Sequence, residues 1–243
     1  MRLDAHLVAS GAARSRERAR EAVAAGLVRI NGEVARKASR AVGPADAVTC
    51  EGETHPWVSR GALKLVAALD AFGIDPKDRI CLDLGASTGG FTEVLLARGA
   101  ARVYAVDVGH GQLAPALTGD PRVRNLERTH AKDLTRALVP EAVCLLVCDV
   151  SFIGLKKALP PALALCPPGA EAAVLVKPQF ELGPERLGKG GIVRETGEAL
   201  AAWLAAEVVP WFEAQGWSVI GTAPSPIKGG DGNAEFLLAA RRG

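Results

Sequence analysis

With 243 residues, 49% of them hydrophobic and 23% charged, the chain can bury a sizeable core and lacks the composition of a disordered polymer. Its richness in Ala, Val, Leu and Gly favours α/β packing in one large domain plus one small one, and no internal repeat points to a solenoid. Net charge is only +2, yet the first forty residues carry nine Lys/Arg against four Asp/Glu, which leaves the remainder at 20 against 23.

The longest apolar runs, 142–150 and 199–212, are too short or too interrupted by Asp, Glu and Pro to cross a bilayer. The opening Met1-Arg2-Leu3-Asp4-Ala5-His6 lacks the regions of a signal peptide, so a cytoplasmic setting with no membrane partner is expected. Cysteines at 50, 81, 144, 148 and 166 form no Cys-x-x-Cys pair, and histidines at 6, 55, 110 and 130 show no ligand spacing. Reduced thiols and no protein-held metal follow.

In chain order, Ser15 is placed to cap a helix whose Ala19, Ala22 and Val23 share one face. A Gly26 turn leads to Leu27-Val28-Arg29-Ile30, Asn31-Gly32 and Val34, a hairpin whose turn needs positive φ at both central residues. Arg14, Arg16, Arg18, Arg20, Arg29, Arg36, Lys37 and Arg40 can offer phosphates a positive face, with the helical arginines mostly opposite the apolar side. A solvated helix surface would explain the same charges. The polar segment from Gly43 to Pro56 closes this unit, giving domains at 1–56 and 57–243, with Trp57 as a packing, hinge or stacking residue at the junction.

Ser59-Arg60-Gly61 opens a second helical pattern in which Lys64 sits beside the stripe Leu65, Leu69 and Phe72. Residues 80–84 then read as a strand, followed by the turn Gly85-Ala86-Ser87-Thr88-Gly89-Gly90-Phe91 and a helix to Arg98. In a doubly wound sheet this first turn is the natural cofactor site, because glycines admit a ligand to the backbone and the helix start exposes N–H groups. Ser87 replaces the second glycine of a dinucleotide fingerprint, and Asp107, ending the strand 102–106, is spaced to accept both ribose hydroxyls. That spacing suits S-adenosylmethionine as well as a dinucleotide, whose close pyrophosphate approach Ser87 disfavours. Asp83 is a candidate for its amino-acid end or for holding the turn's backbone donors, and Asp133, after a third strand at 123–126, for the adenine edge or a helix cap.

Two later apolar strands, 143–148 and 171–176, deliver Asp149 and Lys177 to the same sheet edge. Residues 178–195, with Gly183, Gly188, Gly190, Gly191, Arg186, Lys189 and Arg194, read as a mobile basic loop, with Phe180 at its root as a core aromatic or a base-stacking group. A second loop, 225–233, carries Lys228, and Glu235 opens the last strand. Singly, Lys64 and Glu235 look like ordinary surface charges. The expected fold is α/β: a Rossmann-like domain behind a small, basic α+β domain.

Three resemblances sharpen this reading. Arg2-Leu3-Asp4, Ser15-Arg16, Gly26-Leu27-Val28 and Ile30-Asn31-Gly32 resemble the α-L-motif RNA-binding domain of a small-subunit ribosomal protein, also found as an appendage of pseudouridine synthases and tRNA synthetases. Lys64, Asp149, Lys177 and Glu235 resemble the Lys-Asp-Lys-Glu tetrad of RNA ribose 2′-O-methyltransferases. With Ser-Arg-Gly-Ala-Leu-Lys, Asp-Leu-Gly-Ala-Ser-Thr-Gly-Gly-Phe-Thr, Asp-Val-Ser-Phe and Lys-Pro-Gln-Phe-Glu, the whole chain resembles the hemolysin A family of rRNA methyltransferases. Ala62 departs from the glycine expected there, a change a helix accommodates.

The resemblance implies S-adenosylmethionine-dependent 2′-O-methylation of a cytidine in ribosomal RNA, with large-subunit RNA favoured and ribosomal subunits as partners. It assigns Lys177 as general base or hydroxyl-orienting group, Lys64 as a neighbouring positive charge, and Asp149 and Glu235 as the groups that hold the lysines. Two plain ion pairs would account for the same four residues. The rival functions are a non-catalytic rRNA-binding assembly factor and a membrane-active hemolysin, which methyl transfer and liposome leakage separate; base rather than ribose methylation also stays open.

Overall fold

The computed structural model describes residues 1–52 and 55–243; Glu53 and Thr54, within the segment expected to close the first domain, lie outside the described residues. The chain divides into two compact units, Met1–Pro56 and Trp57–Gly243.

The first unit holds α1 (Leu3–Ala9), α2 (Arg16–Ala24), β1 (Val28–Ile30), β2 (Glu33–Val34) and β3 (Val48–Cys50). Ser15 Oγ accepts a hydrogen bond from Arg18 N at 3.2 Å, supplying one of the free donors at the start of α2. Leu3, Leu7, Ala19, Val23, Val28 and Ile30 form its core. Asn31 (φ 54°) and Gly32 (φ 83°) make the two-residue turn between β1 and β2. The segment 43–56, read from the sequence as the polar close of this unit, contains β3, which pairs antiparallel with β1 through Val28↔Cys50 and Ile30↔Val48. β1 would otherwise leave a row of backbone groups unpaired on that side.

In the second unit, α3 (Ala62–Phe72) precedes β4 (Ile80–Leu84), α4 (Gly90–Ala97), β5 (Arg102–Val106), α5 (Pro115–Thr118) and β6 (Val123–Leu126). Then come β7 (Leu145–Cys148), α6 (Leu155–Ala164), β8 (Glu171–Val176), α7 (Pro178–Glu181), α8 (Glu198–Trp203), α9 (Val209–Ala214), β9 (Trp217–Pro224) and β10 (Phe236–Arg242). A π-helical stretch, Leu204–Val208, joins α8 to α9, next to Pro210, which has no N–H to donate to an α-helical ladder.

The seven strands run in the order β6-β5-β4-β7-β8-β10-β9, with β4 to β8 parallel and β10 antiparallel to both neighbours. Alternate residues feed two cores. Leu146, Cys148, Ala172, Val174 and Val176 join one with residues of α6, α8 and α9, whereas Leu145, Val147, Ala173 and Leu175 join the other with residues of α3 and α4. Burial of both faces explains why these strands read as continuous apolar runs. Among the described residues, no helix is long and apolar enough to cross a membrane.

Residues 178–195, read from the sequence as a basic loop, carry short elements of their own. They comprise α7, 3-10 turns at Pro184–Arg186 and Lys189–Gly191, and a bridge between Leu187 and Val193. Their backbone is held by Asn233, whose Oδ1 accepts from Val193 N at 2.8 Å and whose Nδ2 donates to Gly191 O at 3.0 Å. Such a distant partner leaves no local periodicity to read.

Candidate active site

Parallel strands share one C-terminal edge, so β4, β7 and β8 bring the residues that follow them, Gly85, Asp149 and Lys177, to a common crevice. Because β10 runs the other way, with Phe236 opposite Val176, the residue that precedes it, Glu235, arrives at the same edge. Lys64 enters from the first turn of α3, whose stripe Ala62, Leu65 and Leu69 is buried in the sheet's second core.

The four side chains meet in a line of alternating charge. Lys177 Nζ lies 2.6 Å from Asp149 Oδ1, Asp149 Oδ2 is 3.7 Å from Lys64 Nζ, and Lys64 Nζ is 2.6 Å from Glu235 Oε2. Side-chain exposure is 9% or less for the lysines and Glu235 and 18% for Asp149, so water screens these contacts weakly. Lys177 Nζ also donates to Ser151 Oγ at 2.8 Å. No role for Ser151 emerges from sequence reasoning, although it sits two residues beyond Asp149 in the Asp-Val-Ser-Phe run. Beside it, Phe152 holds φ at +65° and is 91% exposed, with its ring centroid 5.3 Å from that of Phe180 on α7.

The glycine-rich turn is set by close backbone packing. Gly85 has φ +87°, and a Cβ there would come within 2.9 Å of the Asp149 carbonyl oxygen and 3.1 Å of Val150 Cα. Ala86 N donates to Val106 O at 3.1 Å, and Ala114 N to Thr88 O at 3.1 Å. A Cβ on Gly89 (φ +98°) would strike Leu113 and Leu117, one on Gly90 would strike Ser59 Oγ, and Phe91 is buried at the start of α4. Ser87, at φ +48°, donates its N–H to Asp107 Oδ2 at 2.8 Å while Gly109 N donates to Asp107 Oδ1 at 2.7 Å. Each oxygen keeps a further lone pair for a ribose hydroxyl.

Asp83 is fully buried, and its Oδ2 accepts from Thr92 Oγ1 at 2.7 Å. Oδ1 has no hydrogen-bond partner among the described residues. Burial pushes this carboxyl up to about 7, against the opposing pull of the Thr92 hydroxyl. Asp133, exposed, ends the 3-10 turn Ala131–Asp133, in a loop tied to the end of β5 by Thr129 N donating to Asp107 O at 3.0 Å. Glu127, also missed in the sequence, braces the loop after Asp107 through His110 Nδ1 at 2.9 Å and Gln112 N at 3.2 Å.

Of the basic residues proposed for RNA, Arg14, Arg16, Arg20, Arg36 and Lys37 are exposed in the first unit and Lys189 is exposed in the second. Arg18 departs from the expected outward face. It is buried, with Nη1 2.6 Å from His55 Nε2 and 3.2 Å from Glu21 Oε2, and Nη2 donates to the His55 carbonyl. At the third position of α2 it lies next to the apolar stripe, and a buried partner pulls it inward.

A family model described as FtsJ-like methyltransferase matches residues 57–242. The chain belongs to that family. A second model, the S4 domain, matches residues 1–48. This FtsJ-like methyltransferase is 48% identical to the 16S/23S rRNA (cytidine-2′-O)-methyltransferase TlyA of Mycobacterium tuberculosis, over 99% of its own length and 89% of the relative's. It is 38% identical to the 23S rRNA (cytidine-2′-O)-methyltransferase TlyA of Campylobacter jejuni, over 74% of its length and 69% of the relative's. A solved structure from Streptococcus thermophilus, named as a hemolysin, covers 100% of this chain and 88% of that one at 40% identity and a TM-score of 0.77. The resemblance to the hemolysin A family drawn from the motifs is met by these relatives.

Proposed function

We propose that this FtsJ-like methyltransferase moves a methyl group from S-adenosylmethionine to the 2′-hydroxyl of a cytidine in ribosomal RNA, with large-subunit RNA as the first substrate to test and the cytoplasm as its setting. The observation that carries the proposal is the line Lys177–Asp149–Lys64–Glu235 at the sheet edge, beside the glycine-rich turn.

A ribose hydroxyl is a weak acid and a weak nucleophile, so the protein must place it in line with the methyl carbon and either polarise it or remove its proton. Lys177 does this. Asp149 and Ser151 fix its Nζ from two sides, so the remaining Nζ direction is left to the hydroxyl. Lys64 steadies Asp149 from the far side and is itself anchored by Glu235, which keeps the buried charges balanced at two of each sign. Catalysis then rests mainly on positioning by side chains that are themselves largely buried.

When bound, S-adenosylmethionine supplies an electrophilic methyl group on a sulfonium. The residues present suit it: the Asp83 Oδ1 acceptor for an amino group, the turn Gly85–Phe91 for close backbone approach, Asp107 for the ribose and Asp133 near the adenine side. The exposed Phe152, paired with Phe180, offers a face on which a base can stack. Arg14, Arg16, Arg20, Arg36 and Lys37 of the S4 unit and Lys189 of the catalytic unit are the candidate phosphate contacts.

The test is transfer of labelled methyl from S-adenosylmethionine to unmodified large and small ribosomal subunits, with alkaline mapping of the product. Ribose methylation yields a linkage that resists alkali, because the 2′-oxygen can no longer attack the phosphate. Label in a cleavable linkage would show base methylation instead. Binding of subunits and cofactor with no transfer to either subunit would sink the enzymatic reading for those substrates and leave an assembly factor.

A further inference from the structure

In the S4 unit, three guanidiniums converge on one carboxylate. Asp4 is fully buried in the first turn of α1. It accepts from Arg2 Nε and Nη2 at 3.0 Å each, from Arg16 Nη2 at 3.1 Å, from Arg20 Nε at 3.4 Å and from Ala5 N at 2.9 Å. The arginines come from two places, the residue just before α1 and two positions on α2, and their side chains are 49%, 53% and 58% exposed. Among the described residues, Asp4 is the only acid within ion-pair distance of any of the three. Its carboxyl is held well below the usual range, foremost by the hydrogen bond from Arg2.

Three cations around one anion leave a local surplus of two positive charges. Without the anion, mutual repulsion and rotamer entropy would spread the guanidiniums apart. With it, each is turned inward by one edge of its donor fork, and the roughly half-exposed side chains keep further N–H groups that the carboxylate does not use. That arrangement suits a tetrahedral oxyanion.

We infer that Arg2, Arg16 and Arg20, gathered by the buried Asp4, form a site for an RNA phosphate group, with Asp4 as a positioning residue. The inference rests on the RNA-binding reading above and adds Arg2 and Asp4 to it. It carries an unusual sign. Long-range electrostatics alone would have Asp4→Asn bind RNA more tightly, because the protein gains a positive charge. As organiser, Asp4 strengthens binding, and its neutralisation weakens it.

The experiment measures binding of the full chain to unmodified large ribosomal subunits across a salt series, for wild type, Asp4→Asn, Arg16→Ala and the double variant. Asp4→Asn is expected to bind about 3- to 10-fold more weakly, with the loss appearing in KM for subunits rather than in kcat. Arg16→Ala is expected to lower the salt slope by about 1, and to cost less affinity in the Asp4→Asn background than alone. A folded Asp4→Asn protein that binds as tightly as wild type, or more tightly, would overturn the positioning role while leaving the RNA-binding reading intact. Should Asp4→Asn not fold, Arg2→Gln and Arg16→Gln, which keep Asp4, decide: each must weaken binding and flatten the salt dependence, and wild-type behaviour of both overturns the site. If wild type itself fails to bind subunits, the RNA reading and this inference fall together.

Discussion

Replacing Lys177 by Met separates the chemistry proposed for this lysine from its place in the fold. Methionine keeps the unbranched apolar stem in a side-chain environment that is only 9% exposed, and removes the ammonium that meets Asp149 at 2.6 Å and Ser151 at 2.8 Å. Asp149 is not orphaned, because Lys64 remains 3.7 Å away and the carboxylate is 18% exposed. The stability loss should therefore fall below the roughly 3–5 kcal/mol of a fully broken buried pair, at about 1–2 kcal/mol. Loss of a group that orients or deprotonates the nucleophile costs roughly 100- to 10,000-fold in rate, or about 3–5 kcal/mol in the barrier. The assay is single-turnover methyl transfer at saturating RNA and cofactor, with cofactor affinity by calorimetry and folding by thermal unfolding. The expected result is a fall in rate of at least about 100-fold with cofactor affinity within about twofold of wild type. A folded variant that retains the wild-type rate within about threefold would refute the role given to Lys177.

Ser151→Ala should lower the rate by about 3- to 10-fold without altering cofactor affinity, since it removes one hydrogen bond to Lys177, worth about 1 kcal/mol, and leaves Asp149 in place; steady-state kinetics checks this. Gly85→Ala should cost about 1–3 kcal/mol of stability and reduce activity as well, because the added methyl needs a positive φ and presses on the Asp149 backbone; denaturant unfolding and methyl transfer should move together. Asp83 lies near 7 in the folded protein, against an ordinary 3.8, so the folded state binds more protons than the unfolded state between those values. Its contribution to stability is full below about pH 4 and lost as pH rises to about 7. Asp83→Asn should therefore gain on wild type by up to roughly 1 kcal/mol per pH unit across that window, as read from unfolding at successive pH values; parallel curves would count against the raised value.

Much of the catalytic unit was legible because its signals are local. Apolar runs bounded by turns marked β4, β5, β7 and β8, and glycines at positions of positive φ marked the bend after β4. Parallel strands all end at one edge, so reading Asp149 and Lys177 as the residues after two such strands was enough to expect them as neighbours. The Asn31-Gly32 turn was legible for the same reason, since two positive φ values in sequence admit few other residue pairs.

Lys64 and Glu235 were different. Lys64 lies beside an apolar helix stripe and Glu235 opens a strand, but neither position marks a partner, and only the resemblance grouped them with the strand-end pair. Their contact arises because β10 inserts between β8 and β9 and runs antiparallel, which returns Glu235 to the edge that α3 overhangs. Arg18 shows the converse, a residue that reads as exposed charge and is drawn inside by His55 and Glu21. The Ser151 and Asn233 contacts likewise join segments far apart in the chain. The sequence by itself determined the order and type of most elements, the glycine turn and the charges at the strand ends, because these depend on residues within one turn or strand of each other. Strand order, the β10 insertion and the burial of lone charges were decided by the tertiary structure, because they minimise exposed apolar surface and unpaired polar groups over the whole chain, a sum that no short window contains.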